Sequence, residues 1–106
     1  MSGGYDAYID IIYSDERRKE MTQYNEKNCY ITKSLVENEI KMKFNINVES
    51  TYMPREKDRV IDISFKIRVD SAATLEKIEQ MVRSTLGKSA KAVKSYINDI
   101  EEPLTC

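Results

Sequence analysis

The chain has no histidine, no tryptophan, three glycines, two prolines and two cysteines in 106 residues. Each shortage closes off a class of chemistry. Without histidine there is no side chain titrating near neutrality to act as general base, to activate a serine or cysteine, or to supply the commonest metal ligand. Cys29 and Cys106 lie far apart and show no zinc-ligand spacing. Two isolated cysteines do not make a secreted disulfide framework either, so free thiols in a reducing compartment are expected. Gly3, Gly4 and Gly87 leave no phosphate-cradling loop and no dinucleotide fingerprint. The carboxylates that remain grouped, Asp6 with Asp10 and Glu101 with Glu102, read as solvated charges in the absence of anything to shift their pKa. The expectation is a protein without catalytic residues, cofactor or metal.

No apolar run approaches the ~18 residues needed to cross a bilayer. The first 14 residues lack a basic start and carry Asp6 and Asp10 inside their apolar pattern, which does not fit a signal peptide. A soluble cytoplasmic protein with no membrane partner is expected. Seventeen basic and eighteen acidic residues leave a formal charge of −1, without the overall basic bias of a duplex-DNA binder. The composition is 41% hydrophobic and 33% charged, enough for a core. The length fits a single domain over 1–106, with flexible ends at 1–4 and 102–106.

What the sequence does have is alternation. Ile40, Met42, Phe44, Ile46 and Val48 interleave with Lys41, Lys43, Asn45, Asn47 and Glu49; Ile61, Ile63, Phe65, Ile67 and Val69 interleave with Asp62, Ser64, Lys66, Arg68 and Asp70. Period-two patterning predicts two half-buried strands, here a central hairpin of about 39–49 and 60–70. The parity of the two segments sets Phe44 opposite Phe65 and Ile46 opposite Ile63. On the outer face the same register sets Lys43 opposite Lys66 and Lys41 opposite Arg68. Like charges facing one another destabilise a sheet, so these four cations are a candidate surface for an anionic partner. The plainer alternative is a solvated face neutralised by Glu39, Glu49, Asp62 and Asp70. The connecting loop adds Tyr52, Met53 and Arg55 as contact candidates, stiffened by Pro54.

The remaining segments fall around that hairpin. Tyr5, Ala7, Ile9, Ile11 and Tyr13 predict a first strand, apolar on one face and mixed on the other. Residues 14–28 are highly polar and read as a loop or short helix, and 29–36 as another, poorly alternating strand. After Asp70 the period lengthens: Leu75, Ile78, Met81, Val82 and Leu86 line one helical face, capped near Ser71 or Thr74. Ala90, Val93, Ile97 and Ile100 nearly continue that face beyond Gly87. This gives one long helix or two short ones, about 72–86 and 89–101. Strands followed by helices predict an α+β domain, an antiparallel sheet of three to four strands packed by the C-terminal helices.

Seven tyrosines point toward contact surfaces, since tyrosine carries apolar area with a polar handle at little rotamer cost. The functional expectation is a small non-catalytic protein-binding module: an adaptor, inhibitor or assembly subunit. It would act through the outer hairpin face and loop or through the helical stripe. Its partner is another protein, one with an acidic surface or a second copy of the chain. The alternative is a nucleic-acid-binding protein whose Lys41, Lys43, Lys66 and Arg68 contact phosphates. An open sheet used that way normally supplies aromatic side chains for base stacking, and the outer hairpin face offers none.

Overall fold

The computed structural model describes residues 4–24, 26–53 and 60–98, with the backbone alone for 20–24 and 26–29. The chain runs β1 (Tyr5–Tyr13), α1 (Asp15–Tyr24), α2 (Glu26–Phe44), β2 (Ser50–Tyr52), β3 (Ile63–Val69), α3 (Ala72–Leu86), a short 3-10 turn (Gly87–Ser89) and β4 (Ala90–Ile97). The four strands form one antiparallel sheet in the order β2-β3-β1-β4. The architecture is therefore α+β, two strand–helix–strand halves with β1 and β3 adjacent at the centre.

Alternation decides which face of the sheet is covered. Ala7, Ile9, Ile11 and Tyr13 of β1 and Ile63, Phe65, Ile67 and Val69 of β3 are buried, as the period-two pattern predicts. They pack against Val36 and Ile40 of α2 and Leu75, Ile78, Val82 and Leu86 of α3. Each large aliphatic side chain removed from water in this way contributes about 1.5–3 kcal/mol. On α3 the three-and-four spacing of the apolar residues puts one stripe on the sheet. Ser71 caps its start by accepting the Thr74 amide at 3.2 Å, and Gly87, with φ 53°, ends it.

The 39–49 segment is not a strand. Its alternation at 40, 42 and 44 coincides with a four-residue repeat, Thr32, Val36, Ile40 and Phe44, that lies along the inner side of α2. Met42, in phase with the alternation but not with the helix, is left 79% exposed. Asn45 then ends α2 in a left-handed conformation (φ 57°), its amide donating to the Lys41 carbonyl at 2.9 Å. Asparagine tolerates that geometry better than most residues. Only after it does the period of two hold, with Ile46 and Val48 packed inward. Consequently Phe65 faces Ile9 on one side and Thr51 on the other, not Phe44.

Two further expectations are overturned. Residues 29–36 lie within α2 rather than in a strand, because the Thr32–Val36–Ile40 stripe outweighs the β-favouring Tyr30 and Ile31. The second C-terminal helix, about 89–101, is instead β4 as far as Ile97; residues 99–101 lie outside the described residues. After Gly87 turns the chain, β4 pairs with β1 from Ala7–Ile97 to Tyr13–Ala90, which satisfies backbone groups that β1 would otherwise leave open. The helical stripe offered as a docking surface is accordingly spent on the core: Leu75, Ile78, Val82 and Leu86 are buried and Met81 packs beside them. The polar segment after β1 takes the helical alternative, as α1. Of the expected flexible ends, 1–3 and 102–106 lie outside the described residues.

Candidate functional site

The helices cover one face of the sheet, and no described element covers the other. Cross-strand register places Ser50 and Tyr52 of β2, Ser64, Lys66 and Arg68 of β3, Asp6, Tyr8 and Asp10 of β1, and Lys94 and Tyr96 of β4 on this open side. Tyr8 and Tyr96 sit directly opposite one another, their rings stacked with centroids 5.3 Å apart and planes 24° from parallel. Such an offset pair contributes about 0.5–1.5 kcal/mol beyond its buried area. Tyr52 stands at the sheet margin, 64% exposed.

The charges on this face are interleaved rather than massed. Arg68 Nη1 lies 2.9 Å from Asp6 Oδ1, and Lys66 Nζ lies 3.9 Å from Glu49 Oε1. Asp10, buried under its neighbours, accepts a 2.6 Å hydrogen bond from the Ser64 hydroxyl. Burial pushes the Tyr96 phenol above its ordinary pKa, and the Asp10 carboxylate and Tyr8 beside it push in the same direction. Lys94, in register with Asp10, has no ion-pair partner among the described residues. Among the described residues no three metal-ligating side chains converge.

The four cations grouped by sequence are divided between two layers. Lys66 and Arg68 lie on the open side of β3, whereas Lys41 and Lys43 lie on the last turns of α2, on the helical side of the sheet. Lys41 donates to Asn45 Oδ1 at 3.1 Å and Lys43 pairs with Glu39 at 3.1 Å. Tyr52 does project from the sheet beside Lys66 and Ser64. Met53 packs against the core instead of protruding, and Arg55 lies outside the described residues. Sequence reasoning missed Tyr8, which is in register with Lys66, together with Asp10 and Tyr96 beside Tyr8 on the same open side. Tyr8 and Asp10 share a parity within β1, which was a usable signal; Tyr96 was hidden by reading its segment as helix.

No protein-family model matches the chain, and no curated protein matches it. Solved structures do resemble it. A dimeric protein of unknown function and ferredoxin-like fold from Bacteroides fragilis NCTC 9343 superposes with a TM-score of 0.57 over 92% of this chain and 96% of its own, at 7% identity. The leucine response regulatory protein LrpA of Mycobacterium tuberculosis gives 0.46 at 19% identity, over 90% of this chain and 50% of its own length. The first likeness shows the fold: four antiparallel strands in the order β2-β3-β1-β4 with helices on one face is the ferredoxin-like arrangement. Among the described residues no helix is long and apolar enough to cross a membrane.

Proposed function

We propose that this chain is a non-catalytic protein-binding module whose docking surface is the open face of the sheet, and that its first partner is a second copy of itself. The observation that carries the reading is the stacked Tyr8–Tyr96 pair on an uncovered sheet face, with Tyr52 at its margin. Tyrosine is favoured where a surface must shed water yet stay soluble when alone. A two-fold contact needs a patch that complements itself. Here an acidic row on β1, Asp6 and Asp10, runs between cationic rows, Lys66 with Arg68 on β3 and Lys94 on β4. A rotated copy can therefore set its cations over the acidic row. That the ferredoxin-like neighbour from Bacteroides fragilis is dimeric supports a homodimer. The test is sedimentation velocity over a concentration series, comparing the native chain with Tyr8→Ala/Tyr96→Ala. A dimer lost in the double variant supports the reading. A monomer at all concentrations, with no change on substitution, removes the second copy as partner.

Nucleic acid is the second reading, and one observation favours it. The open face does carry aromatic rings, Tyr8, Tyr96 and Tyr52, beside Lys66, Arg68 and Lys94, the kind of platform on which unpaired bases stack. Against it stand the acidic partners of Lys66 and Arg68 and the Asp10 carboxylate at the centre, which interrupt a path for phosphates. Titrating a single-stranded oligonucleotide against salt separates the two readings, because phosphate contacts weaken steeply as salt rises.

A further inference from the structure

β4 is an outermost strand of the sheet; among the described residues no further strand pairs with its outer edge, which borders a groove. The Asn98 amide donates to the Asp6 carbonyl at 2.8 Å. Hydrogen-bonded pairs alternate along an antiparallel ladder, so in this register Tyr96 and Lys94 bond to β1 while Val93, Ser95 and Ile97 turn their amides and carbonyls outward. The Val93 carbonyl bears this out, since it accepts from Arg83 Nη2 of α3 at 2.7 Å. Arg83 thus closes one end of the edge. Beyond it, a groove of about 410 Å³ opens between α3 and β4, lined by Ala72, Leu75, Glu76, Glu79, Ser95 and Ile97, with Tyr96 at its border. Glu79 is already held by Arg83 at 2.9 Å and by the Ser95 hydroxyl at 2.5 Å. Glu76 has no such partner among the described residues.

We infer that this edge takes an extended segment of a partner protein as a fifth strand, carrying a lysine or arginine toward Glu76 between apolar neighbours that rest on Leu75 and Ile97. The backbone groups of Ser95 and Ile97 supply strand pairing, as in other cases of β-strand addition, and the acidic groove wall selects a basic side chain. Two other occupants fit worse. The segment after β4 carries Asp99, Glu101 and Glu102 and no basic residue, so it brings charge of the same sign as the groove. A second copy pairing edge to edge would offer the groove Val93, Ser95 and Ile97, none of them cationic, and would bring a second Glu76 and Glu79 alongside the first pair. The groove meets the tyrosine-bearing face at Tyr96, and the proposal is tested separately from that reading, at Glu76, Ser95 and Ile97.

The test is an amide NMR titration of the full chain with the probe peptide Ac-Leu-Thr-Lys-Thr-Leu-NH2, whose Leu, Lys and Leu share one side of a strand. Saturable shifts and slowed hydrogen exchange at the Ser95 and Ile97 amides are expected. Glu76→Lys should weaken the probe about fivefold or more, the range set by one exposed ion pair lost and a repulsion gained. The same peptide with glutamate in place of lysine should bind correspondingly less. Ile97→Pro removes an outward amide, a change that edge strands tolerate, together with the side chain that floors one end of the groove; it should abolish the response while leaving the β1–β4 contacts in the spectrum. The proposal is overturned if the probe produces no shifts at millimolar concentration, or if the glutamate peptide binds equally well. Shifts confined to the Tyr8–Tyr96 face would overturn it too, as would a Glu76→Lys chain whose only change is in self-association.

Discussion

The Asp62 carboxylate, 1% exposed, meets the Arg18 guanidinium at 3.0 Å, and the same Oδ2 atom accepts the Tyr13 amide at 2.8 Å. One oxygen thereby joins the end of β1, the first turn of α1 and the residues leading into β3. Removing it in Asp62→Ala leaves both donors without that acceptor. Breaking a buried ion pair costs about 3–5 kcal/mol, and Arg18, still 34% exposed, recovers part of its hydration. A loss of about 2–3 kcal/mol is expected, read as a lower urea midpoint at unchanged slope. Asp62→Asn keeps an acceptor and should lose clearly less. Equal losses in the two variants would show that the charge, rather than the acceptor, holds these segments.

Gly87 carries the turn from α3 into β4 at φ 53° and ψ −127°. A side chain added there meets no atom within 4 Å, so the cost of Gly87→Ala is that of the backbone conformation alone. Such conformations cost non-glycine residues about 1–3 kcal/mol. The expected result is a lower melting temperature with an unchanged far-ultraviolet spectrum. A neutral substitution would mean that the turn relaxes to an ordinary φ without disturbing β4.

The parts of this fold legible in the sequence are those where one periodicity was unopposed. β1, β3 and α3 show this: Ile9, Ile11, Phe65 and Ile67 alternate, Leu75, Ile78 and Val82 follow the helix, and all seven are buried as expected. Illegible segments satisfied two patterns at once. Ile40 and Phe44 fit both a strand and a helix, and only the long-range packing of Val36 and Ile40 on the sheet selects the helix. Ala90, Val93 and Ile97 have helical spacing by coincidence, because β4 is mixed on both faces and its strand character comes from pairing with β1. The candidate site suffered from the same two errors. Lys66 and Arg68 share the open side because β3 follows an unopposed period of two, and Tyr52 joins them from strand β2 rather than from the expected loop, while Lys41 and Lys43 were grouped with them only through a false register.

The start of α3 should be sensitive to both substitution and acid. Ser71→Ala removes the acceptor for the Thr74 amide and is expected to cost about 1 kcal/mol. Just before it, Asp70 accepts from the Thr74 hydroxyl at 2.6 Å, and that bond, the largest influence on it, holds the Asp70 carboxyl below its ordinary 3.8. A carboxyl depressed in the folded state stabilises it above the unfolded pKa, and that contribution is lost as pH falls through the folded value. The stability gap between the native chain and Thr74→Val should therefore narrow as pH drops below about 3.8. Parallel acid unfolding curves would exclude this contribution.

At the alkaline end the sign reverses. Tyr96 is raised above the ordinary tyrosine value of 10.0, first by burial and then by the Asp10 carboxylate and Tyr8. As pH passes about 10 the unfolded chain releases this proton while the folded chain still holds it, so stability falls with rising pH. Tyr96→Phe keeps the ring that stacks on Tyr8 and removes the proton, and should flatten that alkaline decline while leaving stability near neutrality little changed. Tyr8→Ala takes away the stacking partner itself, at about 0.5–1.5 kcal/mol at any pH. Because the phenolate would bring a further negative charge beside Asp10, association through the open face should weaken over the same alkaline range in the native chain and not in Tyr96→Phe. Sedimentation at two pH values on either side of 10 reads this directly, and an identical pH response in both chains would place the contact elsewhere than over Tyr96.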